Sequence, residues 1–104
     1  MKYRNKITYI DGIRFDSKAE SMHYLYLKSL EREGRIANLE RQTKIDFKIN
    51  GKKIFTYIAD FSYKDNAGMH YVDVKSPITA KNPVFRLKKK IIEADKNIQI
   101  EVVQ

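Results

Sequence analysis

Two aspartates and a lysine stand at spacings that suit divalent-metal chemistry. Asp60 lies in an apolar run, residues 54–63, and Asp73 and Lys75 lie in a second run beyond the polar segment 65–68. Two runs of this kind around a short polar segment predict a β-hairpin. If the turn is centred on its two middle residues, Asp60 lies directly opposite Asp73, with Cβ atoms roughly 4.5–5.5 Å apart. Lys75 then lies on the same face, diagonal to Asp60.

Facing carboxylates destabilise a sheet, and burial makes their repulsion stronger. The first strand carries apolar residues on both faces, with Ile54 and Ile58 on one and Phe55 and Tyr57 on the other. This pattern predicts a strand covered on both sides. Mg²⁺, which takes one or two carboxylates plus phosphate oxygens, would relieve the repulsion. The alternative is a solvated hairpin face with an ion pair between Lys75 and Asp60.

Composition limits the classes of function. At 104 residues the chain predicts a single domain, residues 1–104. Its net charge of +8 favours a polyanionic partner. The absence of cysteine excludes disulfides and thiolate sites, and two distant histidines make zinc a poor candidate, so a metal site must be rich in oxygen. No apolar run has the length of a membrane span, and no signal sequence is evident, so we expect a cytoplasmic protein.

The first 14 residues predict a basic arm that leads into a small hairpin. Residues 7–10 and 13–15 can pair across Asp11-Gly12, a strong two-residue turn signal. Aromatic and basic side chains alternate in the arm, which could contact nucleic acid or be a frayed terminus. The basic and aromatic residues at its start are Lys2, Tyr3, Arg4 and Lys6.

The first helix is predicted from about Lys18 to Glu33, where Gly34 ends it. Ser17 and Glu20 have the spacing of a capping box, which gives Glu20 a structural role at the helix start. The apolar stripe of the helix is predicted to be Ala19, Met22, Tyr26 and Leu30, widened by Leu27.

Three strands are then predicted as an antiparallel meander, from residues 45–49, 54–63 and 70–75. Asn82-Pro83 begins a second helix that runs to about Asp95. Its buried stripe is predicted to be Val84, Leu87, Ile91 and Ala94. A last strand over residues 98–102 should return parallel, by a right-handed crossover. The order α–β–β–β–α–β predicts an α/β fold, a small mixed sheet flanked by two helices.

The segment from 81 to 90 carries five basic residues and no acidic one. A charge run on a helix is usually a solvated face, but this one directly follows the strand with the carboxylates, which favours phosphate binding. The predicted DNA contacts are these five residues and one from the arm: Lys6, Lys81, Arg86, Lys88, Lys89 and Lys90.

Asp60 and the triplet Asp73-Val74-Lys75, after a helix with Glu20 and before a basic helix, resemble the PD-(D/E)XK nuclease superfamily. The likeness extends from about residue 15 to residue 103, and it implies a restriction-endonuclease-like core over residues 15–104. Within the superfamily the chain looks most like the small phage and archaeal Holliday-junction resolving endonucleases. Ala59 stands where the family usually has proline, and an aspartate stands where glutamate is commoner.

The resemblance implies a role for each matching residue. Asp60, Asp73 and Glu20 would hold Mg²⁺, or Mn²⁺ as its substitute, with the Val74 carbonyl as a further ligand. Lys75 would lie beside the attacking water or the scissile phosphate. Glu20 therefore has two competing roles, helix cap and metal ligand.

The implied function is Mg²⁺-dependent hydrolysis of phosphodiester bonds in DNA, above all in branched DNA such as a Holliday junction. Because a four-way junction has two-fold symmetry, a homodimer with two active sites is expected. Two alternatives stay open: a non-catalytic basic DNA-binding module, and a nicking or restriction-type nuclease that acts on ordinary duplex.

Overall fold

The structure, a computed structural model, describes residues 6–104. The first three predicted arm residues, Lys2, Tyr3 and Arg4, lie outside the described residues. In chain order the elements are β1 (Thr8–Ile10), β2 (Ile13–Phe15), α1 (Lys18–Arg32), β3 (Ala37–Ile49), β4 (Lys52–Asp65), β5 (Gly68–Val74), α2 (Pro77–Ala80), α3 (Pro83–Lys96) and β6 (Ile100–Val103).

The central sheet has four strands in the order β3-β4-β5-β6, and β1 and β2 pair separately as a small hairpin. The β3–β4 and β4–β5 pairs are antiparallel, whereas β5 and β6 are parallel. The predicted α/β fold and its order α–β–β–β–α–β are confirmed by α1, β3, β4, β5, α3 and β6. The short helix α2 was not predicted. Within the described part of the chain, no helix is long and apolar enough to cross a membrane.

The ends of the elements follow from local side-chain chemistry. The Ser17 hydroxyl accepts a hydrogen bond from the Glu20 N–H and so begins α1. The Asn82 side chain does the same for the first turn of α3, which has proline at its first position. Asn50 and Gly51 both have positive φ, at 51° and 76°, which allows the tight turn between β3 and β4.

Two clusters of buried side chains cover the two faces of the sheet. We call the cluster on the side of α1 the α1-side core; its fully buried members are Phe15, Tyr24, Leu27, Ile36, Phe61 and Val72. We call the cluster under α3 the α3-side core; its buried members are Tyr57, Ala59, Ile92 and Ile100. Tyr71 packs on the α3-side core and its neighbour Val72 belongs to the α1-side core, so the clusters lie on opposite faces.

At Asp60 the regular alternation of side chains along β4 is interrupted. Ala59 belongs to the α3-side core and Phe61 to the α1-side core, although residues two apart in a regular strand share a face. Opposite Asp60 on β3, Gln42 has φ 52°, a left-handed conformation that bends the neighbouring strand. Asp60 therefore lies at the point where β4 passes from one core to the other.

The predicted double coverage of β4 is wrong. Ile54 is 55% exposed and Ile58 is 50% exposed, so only one face of this part of the strand is buried. The reason is that α1 covers the sheet only beyond Asp60, where Phe61 packs against it. The hairpin formed by the outer parts of β3 and β4 projects past α1 and leaves one face open.

The predicted helix stripes are partly wrong. In α1, Leu27 is buried and Leu30 packs against the core as predicted, but Met22 and Tyr26 are exposed and Tyr24 is buried instead. A tyrosine can supply an apolar body to a core while its hydroxyl finds a polar partner. Tyr24 does this, since its hydroxyl donates to Asp11 at 3.3 Å.

The buried face of α3 also differs from the prediction. Phe85 and Ile92 face the sheet, and Val84 and Leu87 are both 59% exposed. Ala94 is exposed as well, and Ile91 is half-buried. The helix carries apolar residues on two neighbouring stripes, and their spacing alone does not say which stripe faces the sheet.

The different burial of two β4 residues gives a first prediction. Phe61→Ala should lower the free energy of unfolding by about 3–5 kcal/mol, because it leaves a cavity in a fully buried site. Ile58→Ala, three residues away on the same strand, should cost less than about 1 kcal/mol. Urea denaturation measures both values, and equal losses would contradict the assignment of the open face.

Candidate active site

The predicted register of the β4–β5 hairpin is confirmed. The ladder runs from Phe61 opposite Val72 to Asp65 opposite Gly68, with the turn centred on residues 66–67. One step beyond the Phe61–Val72 pair, Asp60 and Asp73 lie close together, since the Asp60 N–H donates to the Asp73 carboxylate, but they are not paired in the ladder. At that step β4 and β5 no longer pair, and β5 continues in partnership with β6 alone. The two aspartates therefore lie at a fork in the sheet.

Each aspartate accepts a backbone hydrogen bond from the opposite side of the fork. The Asp73 Oδ1 accepts from the Asp60 N–H at 3.0 Å, and the Asp60 Oδ2 accepts from the Val74 N–H at 2.8 Å. These bonds replace ladder bonds that the separating strands have lost. They also stabilise the ionised carboxylates and so oppose part of the repulsion between them.

Asp73 lies behind the cleft rather than in it. Its side chain is only 1% exposed, and its Oδ2 accepts a hydrogen bond from the Tyr57 hydroxyl. Burial, followed by this bond to a carboxylate, raises the pKa of the Tyr57 hydroxyl, which keeps it a donor. Both carboxylate oxygens of Asp73 are thus already bonded to protein, although each keeps a second lone pair.

Glu20 and Asp60 line one open cleft of about 390 Å³. The first turn of α1 brings Glu20 there, and Val74 and Lys75 also line the cleft. No hydrogen bond among the described residues joins the Glu20 carboxylate to the Ser17 amide. The Ser17 half of the predicted capping box is therefore present, while the Glu20 side chain is directed to the cleft.

The electrostatics of the cleft favour a bound cation. Burial, and next the negative charge of Asp60, raise the pKa of Glu20 from 4.5 to about 7. Burial, and with it the charge of Asp73, also raise the pKa of Asp60, against the lowering effect of the Val74 N–H. Both acids are difficult to ionise mainly because they are partly buried, and the negative charge of a neighbouring acid adds to this effect. A bound cation would stabilise their ionised forms.

Two cationic side chains lie close to these acids. Lys75 lines the cleft, and its ammonium group lies 5.1 Å from the centre of the Phe85 ring. It makes no ion pair with Asp60 within the described part of the chain, so the predicted alternative of such a pair is not observed. Arg41 lies over the Phe15 ring at 4.7 Å, and its charge lowers the pKa of both acids in the cleft.

The donor atoms that line the cleft are oxygens, the type of ligand that a hard cation prefers. They are carboxylate and backbone oxygens from Glu20, Asp60 and Val74, which match the preference of Mg²⁺ for one or two carboxylates with water or phosphate oxygens. Within residues 6–104, no group of three or more histidine, cysteine or acidic side chains is placed to hold a metal. Three acids line the cleft, Asp16, Glu20 and Asp60, and Asp73 is buried outside it. Asp16 forms an ion pair with Arg14 at 2.8 Å.

The predicted DNA-binding lysines and arginine do not form one surface. Lys81 and Arg86 are exposed at or near the start of α3, and Lys90 is exposed in the middle of the helix. Lys6 lies apart from them beside β1. Two others are engaged within the protein. The Lys88 ammonium lies 5.4 Å from the Phe55 ring, and Lys89 forms an ion pair with Glu93 at 3.1 Å. That pair also lines a larger depression of about 590 Å³ along α3, which contains none of the candidate catalytic residues.

Sequence reasoning missed two residues of the site, Tyr57 and Arg41. Tyr57 stands in a buried apolar strand, where its hydroxyl needs a partner, and this requirement could have pointed to a nearby carboxylate. Nothing in the sequence distinguishes Arg41 from the other basic residues. Its Nε is buried without a hydrogen-bond partner in the described structure.

Comparison with known proteins gives one match. A family model described as a protein of unknown function (DUF1064) matches residues 1–103, which is nearly the whole chain. No curated protein and no solved structure matches it significantly.

The bond between Tyr57 and Asp73 gives a second prediction. Tyr57→Phe should destabilise the protein by about 1–3 kcal/mol, because a buried carboxylate oxygen loses its donor. Tyr26→Phe, at an exposed position, should change stability by less than about 0.5 kcal/mol. Urea denaturation of both variants tests this, and equal effects would show that the bond contributes nothing measurable.

The raised pKa of Glu20 gives a third prediction. Because the folded protein holds this proton more tightly than the unfolded chain, its contribution to stability is complete below pH 4.5 and is lost as the pH rises through about 7. In EDTA, the loss between pH 5 and pH 8 should be about 1–2 kcal/mol after allowance for partial exposure. Glu20→Gln should remove this dependence, whereas Glu33→Gln, at an exposed position, should retain it. Identical pH profiles for the two variants would refute the assignment.

Proposed function

The chain belongs to the DUF1064 family of proteins of unknown function, and we propose that it is a metal-dependent DNA endonuclease that hydrolyses phosphodiester bonds in branched DNA. One observation carries the proposal. Glu20 and Asp60 share an open cleft with Lys75, and both acids have raised pKa values. The order of elements and the positions of these residues also support membership of the PD-(D/E)XK nuclease superfamily, with Holliday-junction resolving endonucleases as the nearest type.

The carboxylates of Glu20 and Asp60 would hold the divalent cation, with the Val74 carbonyl as a further donor, and the buried Asp73 would position Asp60 from behind the cleft. When bound, Mg²⁺ or Mn²⁺ supplies an activated water and polarises the phosphodiester. The protein holds Asp60 in position through the Val74 N–H and the Asp60 N–H, which are fixed by the fork. This preorganisation limits the rearrangement that metal binding requires.

Lys75 and Arg41 would act on the phosphate. Lys75 follows directly on the fork and lines the cleft, so its ammonium can stabilise negative charge that develops on the phosphate oxygens. Arg41 has its guanidinium held against Phe15, and its charge lowers the pKa of both acids, so it would stabilise phosphate charge at longer range. Both groups also favour ionised acids at the metal site.

The wider DNA contact is proposed to use basic residues that remain exposed. Lys81, Arg86 and Lys90 would bind phosphates on one side, and Lys6 near the arm would bind on another. Lys88 and Lys89 are engaged with Phe55 and Glu93. They would therefore attract DNA by the long-range effect of their charges rather than by direct contact. Contacts of this kind position DNA without reading its sequence.

A homodimer is proposed on the basis of the substrate and of unpartnered apolar surface. Symmetric cleavage of a four-way junction needs two active sites related by a two-fold axis. On α3, Val84 and Leu87 are exposed side chains three residues apart, and the half-buried Ile91 continues the stripe one turn further. Such a stripe is suited to packing against the same helix of a second copy.

One observation favours a second candidate, a non-catalytic DNA-binding module. Both Asp73 oxygens already accept hydrogen bonds, as expected of a carboxylate with a purely structural role. The two candidates share the basic charge and differ in whether cleavage occurs.

The fourth prediction separates them. With Mg²⁺, the protein should cleave a four-way junction in preference to a flap or a linear duplex, and EDTA should abolish cleavage. Asp60→Asn should lower the rate at least about 100-fold while retaining DNA binding, because it removes a metal ligand and no contact with DNA. Asp95→Asn, at an exposed position on α3, serves as the matched control and should cleave at the normal rate.

Each result has a distinct meaning. Binding without cleavage in Mg²⁺ or Mn²⁺ would support the DNA-binding module. Equal cleavage of all three substrates would support a general nuclease on duplex DNA. Normal cleavage by Asp60→Asn would refute the cleft as the active site.

A further inference from the structure

The outer part of the β3–β4 hairpin, residues 43–59, has one buried face and one open face. Ile45, Phe47 and Phe55 pack against the α3-side core from one side. The opposite face consists of cross-strand pairs that alternate with these residues, and its side chains are largely exposed. We call this opposite face the basic ribbon; its pairs are Lys44 with Ile58, Asp46 with Thr56, and Lys48 with Lys53.

The positive charges of the basic ribbon repel one another and do not stabilise the hairpin. Lys48 lies directly opposite Lys53, and like charges in this position destabilise a sheet. Lys52 is also exposed, but it pairs with Ile49 at the next step of the ladder and so lies on the other face. The hairpin has one carboxylate, Asp46, and this already accepts a hydrogen bond from Thr56 at 2.6 Å. Lys53 and Lys48 lie near enough to Asp46 for their charges to lower its pKa, after the larger effect of the Thr56 hydrogen bond. One carboxylate therefore faces three lysines, Lys44, Lys48 and Lys53, and none of them forms an ion pair among the described residues.

The position of the ribbon connects it with the cleft. Its open face is the face that α1 covers further along the sheet, and the first turn of α1 carries Glu20. Lys53 precedes Asp60 by seven residues on the same strand, which corresponds to roughly 23 Å at about 3.3 Å per residue. Duplex DNA that passes the cleft on this side would therefore meet the ribbon over about seven base pairs.

The shape of the ribbon also suits duplex DNA. A two-stranded antiparallel ribbon fits the major groove of B-DNA, which is about 12 Å wide. Lysines at both edges of the ribbon would approach the phosphates, while Ile54 and Ile58, which are half exposed, would face sugars or thymine methyl groups. The field of α3 adds positive charge behind the ribbon, because Lys88 lies against Phe55 from the other side.

We propose that the basic ribbon is a duplex-DNA-binding surface that holds the arm of the substrate next to the cleft. The location of the DNA beside the cleft rests on the proposed nuclease function, but the binding itself needs neither metal nor cleavage. The surface is distinct from the basic residues of α3 and adds Lys44, Lys48 and Lys53 to the DNA contacts.

A binding experiment with matched charge reversals tests the proposal. The test variant is Lys48→Glu/Lys53→Glu. The control is Arg35→Glu/Lys64→Glu, which makes the same change in net charge at two exposed positions beside the far end of β4. Fluorescence anisotropy measures binding to a labelled linear duplex of about 30 base pairs, in EDTA, from about 50 to 300 mM salt.

The ribbon variant should bind at least about 10-fold more weakly than the wild type at about 100 mM salt, and its salt slope should fall by about two. The control should remain within about two-fold. Equal weakening of both variants would overturn the proposal, because it would show an effect of total charge. Unchanged binding by the ribbon variant, or no duplex binding by the wild type, would also overturn it.

Folding and catalysis are tested separately. Thermal denaturation should give both double variants the melting behaviour of the wild type. If the ribbon variant does not fold, the single exposed substitution Lys48→Glu replaces it, with an expected loss of about three-fold in affinity. Selective loss of binding in a protein that cleaves no DNA would refute the proposed nuclease and support the ribbon. Cleavage by a protein whose ribbon variant binds normally would refute the ribbon alone.

Discussion

The structure of the site depends on the way in which the sheet divides between β4 and β5. Where two strands separate, their amides lose ladder partners, and unpaired buried amides are costly. Asp60 and Asp73 each accept one such amide hydrogen bond from across the fork. The carboxylates are thus part of the backbone architecture as well as of the chemistry. Because Asp73 is buried and also bonded to Tyr57, the fork holds Asp60 in a fixed relation to the cleft.

The change of face at Asp60 places the cleft between the two cores. Side chains before this residue pack under α3, and those after it pack under α1, so both helices meet the same short segment of β4. The N-terminal turn of α1 then brings Glu20 to the fork, and Lys75 lies towards α3 against Phe85. Residues distant in sequence meet here because the part of the sheet that packs under α3 joins the part that packs under α1 at this point.

Much of this arrangement could be predicted from the sequence. The hairpin register followed from the turn at 65–68, and the helix starts followed from Ser17 and Asn82, because these features are local. The helix faces could not be predicted with the same certainty, since Val84 and Leu87 satisfy helical spacing as well as Phe85 and Ile92 do. The change of face at Asp60 breaks the two-residue period on which strand predictions rest. For this reason the contact between Tyr57 and Asp73 and the location of Arg41 became visible only in three dimensions.

The parallel pairing of β5 with β6 has a consequence for the order of folding. Asp73 pairs with Val102, and the Lys75 N–H donates to the Val103 carbonyl at 2.8 Å, so one side of the fork is held by the last strand in chain order. The antiparallel hairpins join neighbours in sequence and can form early, whereas this pairing must wait until the crossover through α3 is complete. On the ribosome, β6 emerges after every other element of the site. A partly synthesised chain would therefore carry its basic surface before it has a finished cleft.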